Sequence, residues 1–267
     1  MNRAPLVELL GICLVMAGCM TSPDHALNML STQDEIALGE EIAVQIEQEE
    51  TILDNADIQA YVNDIGFRLS RVAPRQDIEY AFKVIDAPDT VNAFALPGGH
   101  MYIYTGLMRL CENEAELASV MAHEIGHVSA RHHGEQMTRQ YGLEFLKRIV
   151  LGADPKSSYV LVADLIGQAH VTRFSRANER EADELGAEML FRAGYDSRAM
   201  LTFMEKLQDF EQEGSGGNWM PLFASHPPTA ERLALLQALT QRHPQELLDK
   251  SQLNAERYHA RVLSVLE

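Results

Sequence analysis

The sequence predicts an α+β fold, mostly α, in which a small sheet with an edge strand packs on a helical core. Three observations predict it. Apolar residues recur at three- and four-residue steps before residue 73 and again after residue 105. Between Tyr80 and Tyr104 the period drops to two, and Pro97-Gly98-Gly99 interrupts that stretch as a turn.

Each element has its own signal. Ile36, Leu38, Ile42, Val44 and Ile46 mark a first helix, with Thr32 and Glu35 at capping-box spacing. A second helix fits Asp57 to Val72 and is ended by Pro74. Tyr80, Phe82 and Val84 alternate with Ala81, Lys83 and Ile85 as a strand, and two shorter strands fit Val91 to Leu96 and Met101 to Tyr104. Asn113 caps a helix running to about His132. Further helices fit 135–150, 157–172, 175–193, 196–212, 228–241 and 244–264, with a flexible break at Gly214 to Gly217.

Composition narrows the function. The chain has 267 residues, 46% hydrophobic and 23% charged, enough for one well-packed domain and too apolar for a disordered chain. A formal charge of −17 opposes contact with phosphate backbones, so no nucleic-acid partner is expected. No stretch reaches the ~20 apolar residues that span a bilayer.

The first residues read as an export signal. Arg3 is a short positive region, Leu9 to Ala17 is an apolar run, and Met16-Ala17-Gly18-Cys19 is similar to a bacterial lipobox, with Cys19 the lipidated residue. Met16 and Glu8 depart from that pattern, and a buried N-terminal helix is the structural alternative. Cleavage would remove one charge of each sign, so an acidic body would meet the membrane only through its lipid anchor. Cys13 would leave with the signal and Cys19 would carry lipid. Cys111 would then have no partner for an internal disulfide. The expected organisation is a signal peptide over 1–18, a lipidated tether over 19–30, a catalytic domain over 31–241 and a C-terminal helix over 242–267.

The chemistry is carried by His123-Glu124-Ile125-Gly126-His127. Residues four apart share a helix face, so both imidazoles can reach one ion, and zinc suits them. Glu124 lies one position round, where it can take a proton from an attacking water. Such a pattern arises by chance in roughly one chain in a hundred of this length, so a third ligand must be found. Glu179-Arg180-Glu181-Ala182-Asp183 offers one. Glu179 can complete the metal set, and Asp183 on the same face can accept the free N–H of a ligating histidine. Glu181 is expected to point away. A solvated acidic helix face is the plainer reading of this segment taken alone.

Together these motifs resemble the HtpX and CAAX-prenyl-protease family of gluzincin metallopeptidases, and most of all its exported bacterial members, often lipoproteins. Val91-Asn92-Ala93-Phe94-Ala95-Leu96-Pro97-Gly98-Gly99, then Tyr102-Ile103-Tyr104-Thr105-Gly106-Leu107, is similar to the family's strand and turn before the metal helix. Ser225-His226-Pro227-Pro228-Thr229-Ala230-Glu231-Arg232 is similar to the segment after it. The resemblance covers about residues 31–241. It implies one zinc ion on His123, His127 and Glu179, Glu124 as general base and Asp183 behind the ligands. It also implies an edge strand, Asn92, Ala93, Phe94 and Ala95, that pairs with an extended polypeptide substrate; a covered hairpin is the alternative.

His226 stays open between two roles: stabilising an oxyanion, or occupying the metal's open position and keeping the enzyme latent. His132 and His133 read as surface or packing residues. The expectation is a zinc-dependent endopeptidase of the cell envelope, facing the periplasm. Because Met20 is not the Asp of inner-membrane retention, the outer membrane is favoured. By resemblance alone, its substrates are misfolded or misassembled envelope proteins. The alternatives are a latent protease that acts mainly as a chaperone-like binding or assembly factor, and an intracellular zinc protein with an accidental lipobox.

Overall fold

A computed structural model describes residues 28–142, 174–212, 222 and 225–266. The expected signal segment, Cys19, the helix over 157–172 and the break at Gly214 to Gly217 lie outside the described residues.

Helix α1, Thr32–Glu49, opens one residue earlier than its predicted box. Ser31 accepts from the Asp34 amide at 3.1 Å, and the Asp34 carboxylate accepts from the Ser31 amide at 2.9 Å. Glu35 is therefore not a cap. It turns inward and is buried between Arg75, at 2.8 Å, and Arg131, at 3.1 Å. Helix α2, Ala56–Ser70, is capped by Asn55.

Three strands follow: β1 Ala81–Ile85, β2 Ala93–Ala95 and β3 His100–Tyr104, in the order β1-β3-β2. β1 lies parallel to β3, with Phe82 opposite Met101, while β2 is antiparallel to it, with Phe94 opposite Tyr102. The β2–β3 turn is a single 3-10 turn, Pro97–Gly99, where Gly98 and Gly99 take φ of 81° and 106°. A side chain would strain both.

The period-two alternation gives the sheet two apolar faces. Phe94, Tyr102 and Tyr104 pack under α1 with Leu38, Ile42 and Ile46. Phe82, Val84, Met101 and Ile103 face the larger core with Ile58, Val62 and Ile65 of α2. Burying each such side chain contributes about 1.5–3 kcal/mol, which fixes the register of the strands against their helices.

A short helix, α3 Thr105–Leu110, leads to α4, Glu114–Ser129, capped as predicted by Asn113, whose side chain accepts from the Glu116 amide at 3.0 Å. From Glu114 to Val128 every residue of α4 is buried, so this helix is the axis of the domain. It stops three residues short of the predicted His132. Arg131 adopts φ 63°, and α5, His132–Tyr141, starts immediately after it.

Helix α6, Arg176–Arg192, lies against α4 and is opened by a reciprocal Ser175–Asn178 capping box. Helices α7, Arg198–Gln212, and α8, Ala230–Arg242, close the bundle. The predicted C-terminal helix over 244–264 is not a single helix. It is split into a single turn, Gln245–Leu248, and an uninterrupted helical stretch made of Ala255–Tyr258, His259–Leu263 and Ser264–Leu266. Backbone bonds to other elements win between them. The Gln252 amide donates to Gly194 at 3.1 Å, the Asp196 amide to Gln252 at 3.3 Å, and the Ala115 amide to Leu253 at 3.3 Å. No helix among the described residues is long and apolar enough to cross a membrane.

Candidate metal centre

His123 and His127 project from one face of α4 toward Glu179 in the first turn of α6. Their Nε2 atoms are 3.0 Å apart. Glu179 Oε2 lies 3.6 Å from the first, and its Oε1 lies 3.4 Å from the second. Two imidazoles and a carboxylate are a donor set for zinc with an open fourth position. A tetrahedral ion with bonds of 2.0–2.1 Å separates its ligand atoms by about 3.3 Å. The three observed separations bracket that value, so these residues fit the ion.

A fourth side chain joins this donor set. His226, which follows α7 in the Ser225-His226-Pro227-Pro228 segment, puts Nδ1 3.1 Å from His123 Nε2 and 2.9 Å from Glu179 Oε1. All four side chains are buried, and their donor atoms lie within 4.8 Å of one another. His226 Nε2 also lies 3.3 Å from Glu124 Oε1. An apolar recess adjoins the centre, lined by Val120, Met200, Phe203, Met204, Leu207 and Leu222.

The electrostatics follow from burial and contact. Burial raises the Glu124 carboxyl above the usual carboxylate range, against the opposing pull of His226 and His123. Burial also works to raise Glu179, but His226 and Arg232 outweigh it and hold that carboxyl well below its usual range. Burial keeps His127 neutral, the form a ligand needs. Burial opposes the charging of His226, yet the Glu179 and Glu124 carboxylates raise it.

Partners behind the donors orient them. Asp183, one turn along α6 from Glu179, lies with Oδ1 2.9 Å from His123 Nδ1. Arg232 of α8 pairs with both acids, at 2.8 Å to Glu179 Oε2 and 2.8 Å to Asp183 Oδ1. Its role was not legible, because it depends on where α8 crosses α6.

Two neighbours go beyond what the spacing shows. His132, read as a surface or packing residue, is buried against His127, with the two Nδ1 atoms 3.0 Å apart. Glu181, which turns away from the donor atoms themselves, lies 3.3 Å from His132 Nε2. Both follow from the break at Arg131, which unbroken helical spacing cannot reveal.

The edge segment behaves as a covered strand. Asn92, Ala93, Phe94 and Ala95 are all buried. The bonds from the Tyr104 amide to Asn92 and from the Leu96 amide to His100 turn Asn92, Phe94 and Leu96 toward β3. Ala93 and Ala95 therefore direct their backbone groups away from the sheet. The Ala95 amide meets Glu124 Oε2 at 3.2 Å, so the edge strand touches the centre through its own backbone.

Comparison with known proteins agrees with this geometry. A sequence model of peptidase family M48 matches residues 53–240. The beta-barrel assembly-enhancing protease of Escherichia coli (strain K12) is 34% identical over 229 residues, covering 80% of this chain and 46% of that protein. Its counterpart in Yersinia pestis is 35% identical over 214 residues, 77% of this chain and 43% of the relative. The mitochondrial metalloendopeptidase OMA1 of Schizosaccharomyces pombe is 32% identical over 176 residues, 65% of this chain and 50% of the relative. The chain thus spans about half the length of the curated relatives it matches. With the match running from the start of α2 to the end of α8 across every donor of the centre, the chain belongs to peptidase family M48.

Proposed function

We propose that this chain is a zinc-dependent endopeptidase that cuts polypeptides in extended conformation. The convergence of His123, His127 and Glu179, with Glu124 one residue round the same helix, carries the reading. Zinc, when bound there, supplies Lewis-acid polarisation of the scissile carbonyl and makes water easier to deprotonate. Glu124 takes the water's proton and returns it to the leaving amine. Its buried, upward-shifted carboxyl suits both directions of that transfer. Asp183 holds His123 with its Nε2 lone pair inward. A substrate strand pairing with this edge would start at the outward-directed backbone of Ala93 and take over the Ala95 amide that Glu124 holds.

The lipobox-like Cys19 supports a lipid-anchored protein of the cell envelope, on the periplasmic side and preferably at the outer membrane. Unfolded or misassembled envelope proteins present the extended segments such a site takes. The relatives named for β-barrel assembly favour the same compartment.

A second reading rests on one observation. His226 Nδ1 sits among the metal-donor atoms and its Nε2 against Glu124, where water and a scissile carbonyl would have to enter. In that state the protein is latent, and it binds extended segments more than it cuts them.

The deciding experiment counts zinc per chain and compares casein cleavage by wild type and Glu124→Gln. Gln retains an oxygen to accept the Ala95 amide, so the strand contact survives while the base is lost. One zinc in both proteins, with cleavage by wild type only, is expected. A wild-type chain that takes up no zinc would refute the assignment.

A further inference from the structure

We propose that His132, backed by Glu181, is a positioning residue that fixes the tautomer of His127 and so presents its Nε2 to the metal. The inference rests on the zinc reading above.

The backbone break is the starting point. On an unbroken helix, a residue five positions after His127 would sit about 140° round the axis from it. Instead α4 ends at Ser129, and Arg131 takes φ 63°, ψ 28°, before α5 begins at His132. Arg131 is held in that left-handed conformation by contacts from outside its own helix. Its Nε reaches both Glu35 oxygens, at 3.1 and 3.2 Å, and its Nη2 donates to the Leu30 carbonyl at 2.5 Å. The reversal folds the His132 ring back under His127, fully buried.

Proton counting sets the direction of the chain of bonds. The two Nδ1 atoms are 3.0 Å apart, so one proton lies between them. His132 Nε2 faces the Glu181 carboxylate at 3.3 Å, and an ionised carboxylate only accepts. His132 therefore carries its proton on Nε2, which leaves Nδ1 as an acceptor. His127 must then donate from Nδ1, and its Nε2 keeps a lone pair toward Glu179, 3.4 Å away, and His123, 3.0 Å away. Asp183 does the same for His123 through one carboxylate. At His127 Nδ1 the neighbour is His132, which passes the effect of Glu181 inward.

The test is made on the full chain with zinc alone, titrated against a chelating indicator, together with thermal melting of the metal-free proteins. His132→Leu fills the space without an acceptor. His132→Asn places an amide oxygen near the Nδ1 position. Wild type should bind one zinc, His132→Leu should bind it about 10–100-fold more weakly, and His132→Asn should return to within about threefold of wild type. The metal-free melting temperatures should stay together. Unchanged affinity in His132→Leu, or an equal loss in the Leu and Asn variants, would overturn the relay while leaving the zinc site intact. If His132→Leu does not fold, Glu181→Ala carries the test: weaker zinc binding supports the relay and wild-type affinity overturns it. A wild-type chain that binds no zinc would instead refute the reading on which the relay rests.

Discussion

Arg232 grips Asp183 through two parallel hydrogen bonds of 2.8 Å, Nε to Oδ2 and Nη2 to Oδ1, in the interior between α6 and α8. Its remaining nitrogen reaches Glu179 at 2.8 Å. One guanidinium thus neutralises both the acid beside His123 Nδ1 and the acid in the candidate metal site. Removing it would leave two buried carboxylates uncompensated, the situation in which breaking a buried pair costs about 3–5 kcal/mol. Arg232→Ala should lower the urea midpoint accordingly. Arg232→Lys should recover little, because an ammonium cannot bridge two oxygens in the plane of a carboxylate. A Lys variant as stable as wild type would show that charge alone matters here.

Metal removal should loosen the same region. His123 and His127 come from α4, Glu179 from α6 and His226 from the segment before α8, so an ion would tie three parts of the bundle together. A ligand that binds only the folded state stabilises it by about 4 kcal/mol at a thousandfold excess over Kd. Chelated protein should melt at lower temperature, and added zinc should restore the transition. His123→Ala should show little of this zinc response.

The approach of α4 to α6 can be tested at Gly126. A Cβ there would lie 2.8 Å from the Ala182 carbonyl oxygen and 3.1 Å from its Cα, both backbone atoms that cannot swing aside. Gly126→Ala should push the helices apart at the level of His127 and Glu179. Overpacking of this kind costs about 1–3 kcal/mol, and zinc affinity should fall with stability. Unchanged affinity would mean that the helices part elsewhere.

Much of this centre is legible in sequence because its residues obey local rules. Asn113 and Ser175 cap the two ligand helices as their residue types predict. His123 and His127, and likewise Glu179 and Asp183, meet because four residues make about one helical turn. What local rules miss is set by tertiary contact. His132 reaches His127 only because Glu35 and Leu30 hold Arg131 left-handed. The region 244–264 has a helical pattern, yet Gln252 pairs with the backbone at Gly194 and Asp196, and Asn254 takes φ 54°. Arg232 acquires its partners from the crossing of α8 over α6.

The last prediction concerns His226. Its ring is buried at 6% exposure, with Nδ1 against two metal donors and Nε2 against Glu124. A side chain that only stabilised an oxyanion would be aimed at where the substrate oxygen develops, whereas this one lies against His123, Glu179 and Glu124. His226→Ala should therefore keep its zinc on the three remaining ligands and cut casein faster than wild type. The double variant with Glu124→Gln should be silent, which separates released activity from a contaminating protease. If His226→Ala instead binds zinc normally and loses cleavage by the 10²–10³-fold typical of a missing oxyanion donor, the ring must swing toward the substrate during the reaction. The latent state would then be only a resting pose of a catalytic group.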